Sequence, residues 1–184
     1  MENPEWRGQI ERERREKDEF LARDGGSPLS PADRGGFAGL DYFAPDPGYR
    51  FELELLEHKQ KQIVRTTSSK GGEQEFLRWG EFRFGIDGAE YVLQAYKEAP
   101  FDSGVFILFR DATCGKETYG AGRYLDLEAK RDRTTDGRWL VDFNRAYNPW
   151  CAYSDDYACP MVPGENWLDV SIAAGERYPY RSSG

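Results

Sequence analysis

The chain of 184 residues is long enough for one domain with a sizeable core, because domains near this length bury about 70% of the surface that the unfolded chain exposes. Its composition, 39% hydrophobic and 32% charged, is that of a globular protein. Acidic residues outnumber basic ones, 33 to 25, and the net charge of −8 disfavours binding to nucleic acids and to anionic lipid. We therefore expect neither nucleic-acid nor membrane partners.

Nothing in the sequence predicts export or membrane insertion. The longest uninterrupted apolar run, 105–109, is far shorter than the ~20 residues that a membrane-spanning helix needs. The first six residues contain neither the basic region nor the apolar stretch of a signal peptide. We therefore predict a cytoplasmic protein.

The first element in chain order is a helix over residues 3–23. Asn3 is a suitable N-cap, and Gly25 and Gly26 end the helix. Trp6, Ile10, Lys17, Phe20 and Leu21 recur at helical spacing and give the helix a narrow stripe that is apolar except for Lys17. One interpretation is a helix that binds a membrane surface or a partner. The favoured interpretation is a solvated helix lying on the domain, with Trp6, Ile10 and Phe20 packed against the strands.

After a connector with one further helical turn at Ser30-Pro31, the hydrophobic period changes from helical to two near Tyr49. The alternation of apolar and acidic residues over 49–55 predicts a strand with one solvated face. Residues 76–85 and 89–97 predict a hairpin around Asp87-Gly88. Placing Ile86 opposite Ala89 brings apolar side chains together on one face only, which supports this register.

Four further strands complete the predicted sheets. Residues 105–109 are apolar on both faces and predict a central strand that is covered on both sides. Residues 123–129, 138–145 and 167–173 predict the others. The fold class is mainly β, an antiparallel β-sandwich or partly closed small barrel of about seven strands with an N-terminal α-helix. We expect one domain, with residues 1–48 as a helix and connector packed on a β domain of residues 49–184.

Polar and special residues concentrate between residues 110 and 166, in short strings. The strings are Asp111-x-Thr113, Glu117-Thr118-Tyr119, Gly122-Arg123-Tyr124-Leu125-Asp126, Asp142-Phe143-Asn144, Ala146-Tyr147-Asn148-Pro149, Cys151-Ala152-Tyr153, Cys159-Pro160, Glu165-Asn166 and Ala174-Gly175-Glu176. In these strings the chain resembles the bacterial and archaeal family known as domain of unknown function 1684. Val162 and Gly164 stand where that family usually has prolines. The resemblance implies no activity and no catalytic residues.

The polar members of these strings are the candidate ligand-binding residues. They are Asp111, Thr113, Tyr119, Arg123, Asp126, Asp142, Asn144, Tyr147, Asn148, Glu165 and Asn166. For the tyrosines, a structural role with a bonded hydroxyl is favoured over catalysis. Gly115 and Gly120 have the spacing of a phosphate-binding loop, but the Lys-Ser/Thr that such a loop requires is missing, so we do not predict one. Gly122 instead suggests a bulge or a positive φ where a strand begins.

Arg123 alternates in phase with apolar residues of its strand, so its side chain starts on the core face. A guanidinium there is costly unless carboxylates and carbonyls accept its hydrogen bonds. We expect Asp111 to be its partner, with Asp142 and Asn144 completing the network. The cluster is either a structural link between strands, which is favoured, or the anion-binding end of a pocket.

The three cysteines and the single histidine allow several roles. Cys151 and Cys159 have no common zinc spacing, and a fourfold site with Cys114 and His58 would join scattered segments, so we predict no metal. A disulfide between Cys151 and Cys159 and a catalytic thiol are alternatives to inert thiols, which are favoured. His58 is the only histidine, and we expect it in an exposed turn.

Three functional hypotheses follow, and none of them needs a cofactor. The favoured one is a module that binds a small polar ligand at an open end of the sandwich, between aromatic walls. The second is a hydrolase-like or lyase-like enzyme that uses two of Asp111, Asp126, Asp142 and Glu165, with Arg123 as an anion clamp. The third is a structural role in a complex. Two of the four carboxylates lining one pocket would favour the enzyme.

Overall fold

The computed structural model describes residues 4–180, so the predicted cap Asn3 lies outside the described residues. Helix α1 (Pro4–Arg23) and the short helix α2 (Pro31–Gly36) precede the strands. The strands are β1 (Arg50–Leu53), β2 (Leu56–Thr67), β3 (Glu73–Ile86), β4 (Ala89–Lys97), β5 (Val105–Phe109), β6 (Arg123–Leu127) and β7 (Trp139–Asp142), with helix α3 (Ala129–Asp132) between the last two. None of the helices in residues 4–180 has the length and apolar character that crossing a bilayer requires.

The strands form two antiparallel sheets, in the order β2-β3-β4-β5-β6 and β1-β7. The main core lies between them and includes Phe82, Leu93, Ile107 and Val141. A smaller cluster around Tyr96 and Leu108 covers the other face of the larger sheet. The architecture is the predicted sandwich and not a closed barrel. Strand β5 is an interior strand with both faces packed, as its apolar sequence predicts.

The predicted hairpin is confirmed, including its register. Ile86 pairs with Ala89 and Phe82 with Leu93 across β3 and β4. The φ angles of Asp87 and Gly88 are 51° and 82°, which is the positive-φ pair that a tight two-residue turn requires. Local turn chemistry and alternation therefore determine this part of the fold.

Two strand assignments differ from the expectation. β2 was not predicted, and His58 lies in this strand rather than in an exposed turn, with Nε2 2.6 Å from Oε1 of Gln94. Conversely, residues 167–173 do not form a strand. Trp167 makes a single bridge to Arg110, and the amide of Ile172 donates to Oδ2 of Asp111 at 2.7 Å. The amide of Ala112 also donates to the carbonyl oxygen of Val170 at 2.9 Å, so this segment is joined to residues 110–112 by separate hydrogen bonds rather than by a regular ladder.

Helix α1 lies on the domain, as the favoured interpretation states. Trp6 and Ile10 are buried, and the indole Nε1 of Trp6 donates to Oδ2 of Asp142, at the end of β7, at 2.7 Å. The prediction for Phe20 was wrong, since it packs with Leu21 in a separate cluster built on the connector and on Tyr153. The helix therefore contacts the strands through its first half and the connector through its second half.

Gly122 shows the predicted backbone, with a φ of 106°, and a Cβ placed there would lie 2.6 Å from the carbonyl oxygen of Phe109. We expect Gly122→Ala to lower the free energy of unfolding by about 2–4 kcal/mol, because it combines a strained φ with a backbone clash. Gly120→Ala is the matched control, since the nearest atom to its Cβ would be 3.8 Å away. Urea unfolding of both variants measures the difference, and equal stabilities would contradict this account.

Candidate functional site

A cleft of about 250 Å³ lies between α1 and the segments that follow β6 and β7. Its lining residues are Ile10, Glu13, Arg14, Lys17, Tyr42, Asp126, Glu128, Arg131, Asn144, Arg145, Ala146, Tyr147 and Glu176. Helix α1 supplies Ile10, Arg14 and Lys17 from one face, because positions three and four apart share a helix face. We call this cavity the α1 cleft.

The ion pair of Lys17 and Glu176 lies at one side of the α1 cleft. Lys17 Nζ donates to Oε2 of Glu176 at 2.7 Å, and the Glu176 side chain is fully buried. Asn148 Nδ2 donates to Oε1 of Glu176 at 3.0 Å, and the Tyr153 hydroxyl donates to the same oxygen. Burial, followed by the Glu176 charge, raises the pKa of Tyr153 well above its usual value, so this hydroxyl stays protonated. Glu176 thus joins α1 and the 148–153 segment to its own segment.

Among the cations that line the α1 cleft, Arg14 is the one without a carboxylate partner in residues 4–180. Its Nη1 and Nη2 donate to the carbonyl oxygens of Phe43 and Asn144 at 2.8 and 3.3 Å, and its guanidinium stacks on the ring of Tyr42. Its Nε is buried and has no partner within residues 4–180. Burial lowers the pKa of Arg14, and the nearby charges of Asp142 and Glu176 only partly oppose this shift.

Asp126 and Tyr147 form the opposite wall. The Tyr147 hydroxyl donates to Oδ2 of Asp126 at 2.7 Å. Burial and then the negative charge of Asp126 raise the pKa of Tyr147, so the hydroxyl remains a donor. Lys17 Nζ lies 5.0 Å from the centre of the Tyr147 ring, within cation–π range. This wall therefore offers a carboxylate and an aromatic face.

The mouth of the α1 cleft is held by Arg145 and Glu13. Arg145 Nε and Nη2 donate to Glu13 at 2.8 and 3.1 Å. Partial burial opposes ionisation of Glu13, but the hydrogen bonds and charge of Arg145 prevail and lower its pKa. This bidentate pair links α1 to the segment after β7.

Of the eleven predicted site residues, three line the α1 cleft: Asp126, Asn144 and Tyr147. A fourth, Asn148, does not line the cleft but donates a hydrogen bond to Glu176, which does. The Asn144 amide is already used, since it accepts from the amide of Asp46 at 2.8 Å and donates to Asp142 at 2.9 Å. Asp126 and Tyr147 are therefore the predicted residues with polar groups facing the cavity.

Arg123, Asp111 and Thr113 form a separate, buried cluster. Arg123 Nη2 lies 3.4 Å from Oδ1 of Asp111 and 2.9 Å from the carbonyl oxygen of Ile172. Thr113 donates to the same carboxylate at 2.8 Å. The expected partnership with Asp142 and Asn144 was wrong: Asp142 accepts from Trp6 and from Asn144, so the two carboxylates belong to different clusters. The Arg123 cluster fits the structural interpretation.

The remaining predicted residues lie elsewhere. Oδ1 of Asn166 accepts from the amide of Gln94 at 2.7 Å, and its Nδ2 donates to the carbonyl oxygens of Gln94 and Leu108. The side chain thus completes backbone hydrogen bonding between β4 and β5. Glu165 pairs with Arg78 at 2.7 Å, and the Tyr119 hydroxyl contacts the carbonyl oxygen of Cys151 at 3.4 Å. None of the three lines the α1 cleft.

The three cysteines are unpaired. The amide of Cys151 donates to Sγ of Cys159 at 3.3 Å, and burial raises the pKa of Cys159 to about 11, which disfavours a reactive thiolate. Residues 4–180 contain no group of three or more histidine, cysteine or acidic side chains arranged to hold a metal ion.

Arg14 and Lys17 are not among the predicted site residues, although the sequence contains a signal for them. Ile10, Arg14, Lys17 and Leu21 are spaced by four, three and four residues, so two cations stand within the stripe that faces the domain. Glu176 was part of the final Ala-Gly-Glu string but was not selected. Arg131 and Arg145 follow β6 and β7 without any distinctive pattern, so only the fold brings them to the cleft.

Comparison with known families decides the relationship of this chain. The model of the family described as Protein of unknown function (DUF1684) matches residues 35–177. The chain belongs to this family. A structure solved by solution NMR, that of an uncharacterised protein from Haloarcula marismortui, is 39% identical to this chain, the match covers 94% of each chain, and the TM-score is 0.72. The comparison with curated proteins finds no match.

Membership in the DUF1684 family assigns no role to any residue, because the family is one of unknown function. The family match begins after α1, so Arg14 and Lys17 lie outside it, whereas Asp126, Tyr147 and Glu176 lie inside it. The α1 cleft therefore joins a wall from the family region to a wall from the preceding helix.

Proposed function

We propose that this protein binds a small polar molecule in the α1 cleft, one that carries both an anionic acceptor and a hydrogen-bond donor. The observation that carries this proposal is Arg14: a guanidinium that lines the cavity, donates hydrogen bonds to carbonyl oxygens alone and has no carboxylate of residues 4–180 within 4 Å. An anionic group is the natural partner of such a cation.

The opposite wall supports the second half of the proposal. Asp126 and Glu128 are exposed carboxylates that accept hydrogen bonds from a hydroxyl or an ammonium group, and Tyr147 adds an aromatic face. The cavity of about 250 Å³ is slightly smaller than the ~300–1,000 Å³ of most small-molecule sites, so it suits one small metabolite. Amino acids and hydroxy acids have the required size and groups.

A binding role is favoured over a carboxylate-pair enzyme by the positions of the four predicted carboxylates. Only Asp126 lines the α1 cleft. Asp111 and Asp142 are buried in separate hydrogen-bonded clusters, and Glu165 is paired with Arg78. An acid–base pair needs two carboxyl groups around one reacting bond, and this set offers none.

The test is a thermal-shift screen with amino acids, hydroxy acids and polyols, followed by calorimetric titration of the compounds that raise the melting temperature. We expect Arg14→Met to weaken binding of the best compound by about tenfold to a hundredfold, the usual effect of losing a hydrogen bond to a charged group. Arg15→Gln is the matched control, because Arg15 is an exposed neighbour on α1 outside the cleft. Equal affinities of the two variants, both with wild-type melting temperatures, would contradict the proposal.

A further inference from the structure

A second hollow, of about 490 Å³, shares Arg131 and Arg145 with the α1 cleft. Its lining residues are Glu5, Trp6, Gln9, Arg12, Arg50, Arg131, Leu140 and Arg145, so four arginines face it together with one acidic residue. The chain as a whole carries a net charge of −8. The residues that line this cavity are therefore more basic than the chain on average. We call this cavity the arginine hollow.

Several guanidinium donors of the arginine hollow are not used by residues 4–180. Arg12 is exposed and forms no hydrogen bond or ion pair within that range. Arg50 approaches one carboxylate, Oδ2 of Asp142, at 3.8 Å, which is beyond hydrogen-bond distance. Arg145 uses Nε and Nη2 on Glu13, while its Nη1 lies 3.6 Å or more from the nearest carboxylate oxygens.

The carboxylates behind these arginines are occupied by closer donors. Asp142 accepts from the Trp6 indole at 2.7 Å and from the amide and side chain of Asn144 at 3.0 and 2.9 Å. Asp132 accepts from the amide of Glu128 at 2.7 Å and from Arg131 at 2.8 Å. Asp142 and Asp132 therefore attract Arg50 and Nη1 of Arg145 by charge without accepting hydrogen bonds from them.

We propose that the arginine hollow binds a phosphate group, and that the ligand of the α1 cleft is a small phosphorylated molecule. This inference rests on the proposed function. Arg131 and Arg145 line both cavities, so a phosphate in the arginine hollow would lie next to the part of the ligand that occupies the α1 cleft. Planar guanidinium forks match phosphate oxygens in pairs, and a phosphate presents enough oxygens to meet Arg12, Arg50 and Arg145 at once. The acidic remainder of the surface disfavours polyanionic membranes and nucleic acids, so the phosphate belongs to a small molecule.

The test is calorimetric titration of the full chain with pyrophosphate, with citrate as a carboxylate of similar charge. We expect pyrophosphate to bind more tightly than citrate, and Arg12→Gln and Arg50→Gln each to weaken it by about tenfold. Arg15→Gln, outside both cavities, should change the affinity by less than about twofold, and added salt should weaken binding. Arg12 is exposed and forms no hydrogen bond or ion pair within residues 4–180, so its variant should keep the wild-type melting temperature.

The outcomes separate this inference from the proposed function. Absence of pyrophosphate binding, equal loss in Arg12→Gln and Arg15→Gln, or binding only to vesicles that contain anionic lipid would overturn the inference. If amino acids or hydroxy acids then still bind in an Arg14-dependent manner, the proposed function stands alone. Pyrophosphate binding that depends on Arg12 and Arg50, with tighter binding of a phosphorylated hydroxy acid than of its unphosphorylated form, supports both.

Discussion

Replacing Arg123 by alanine should lower the free energy of unfolding by about 3–5 kcal/mol, the usual cost of leaving one partner of a buried ion pair alone. The Arg123 side chain is fully buried and donates to the carbonyl oxygens of Ile172 and Ala174 while facing Asp111. Its removal leaves a buried carboxylate without its cation and two buried carbonyls without donors. Urea unfolding followed by tryptophan fluorescence measures the loss.

An exposed arginine provides the comparison for Arg123. Arg65 pairs with Glu75 on the surface of β2 and β3, so Arg65→Ala should leave the unfolding midpoint nearly unchanged. An Arg123→Ala protein as stable as the Arg65→Ala protein would show that the Arg123 cluster does not join β6 to the 172–174 segment. A folded Arg123 variant that selectively lost ligand binding would instead revive the pocket interpretation.

The second large effect is expected at Glu176. Glu176→Ala should also cost about 3–5 kcal/mol, because the fully buried carboxylate binds Lys17, Asn148 and Tyr153, and each of them would lose its acceptor. The same variant should weaken ligand binding in the α1 cleft, because Lys17, which lines the cleft, would lose the carboxylate that fixes its position. Chemical unfolding and the thermal-shift screen measure the two effects.

Lys17 allows the Glu176 interaction to be isolated. Lys17→Met removes the cation, and Glu176→Gln keeps the shape of the carboxylate without its charge. The double variant should be destabilised by less than the sum of the single variants, because no unpaired charge remains in it. Strict additivity of the two losses would mean that the 2.7 Å contact contributes nothing to stability.

The hairpin and the interior strand could be predicted because their signals are local. Asp87-Gly88 specifies a turn, and the apolar residues of β5 on both faces require cover on both faces. β2 lacked such a signal. It is an edge strand, with Lys59, Lys61 and Arg65 among its residues and Ile63 exposed, and edge strands carry charge to prevent further pairing. Its pattern therefore looks like a loop in sequence.

Part of the site could be predicted, because the place of a residue in the alternating pattern of its strand indicates whether its side chain is buried. The phase of Arg123 within its strand correctly indicated a buried guanidinium paired with Asp111. Asp142 was assigned to the same cluster because nothing in the sequence shows that Trp6, more than a hundred residues away, binds its carboxylate. Arg14 and Lys17 look like members of a solvated charged helix until the fold places Tyr42, Tyr147 and Glu176 opposite them.

Chemical-shift mapping tests the binding role of the α1 cleft most directly. A ¹H–¹⁵N spectrum of the labelled protein would be recorded with and without the compound that raises the melting temperature most. We predict shifts at Lys17, Asp126 and Tyr147, which line the α1 cleft, and none at Arg78 and Glu165, which do not. Shifts confined to Arg78 and Glu165, or spread evenly over residues 4–180, would contradict the assignment of the α1 cleft as the binding site.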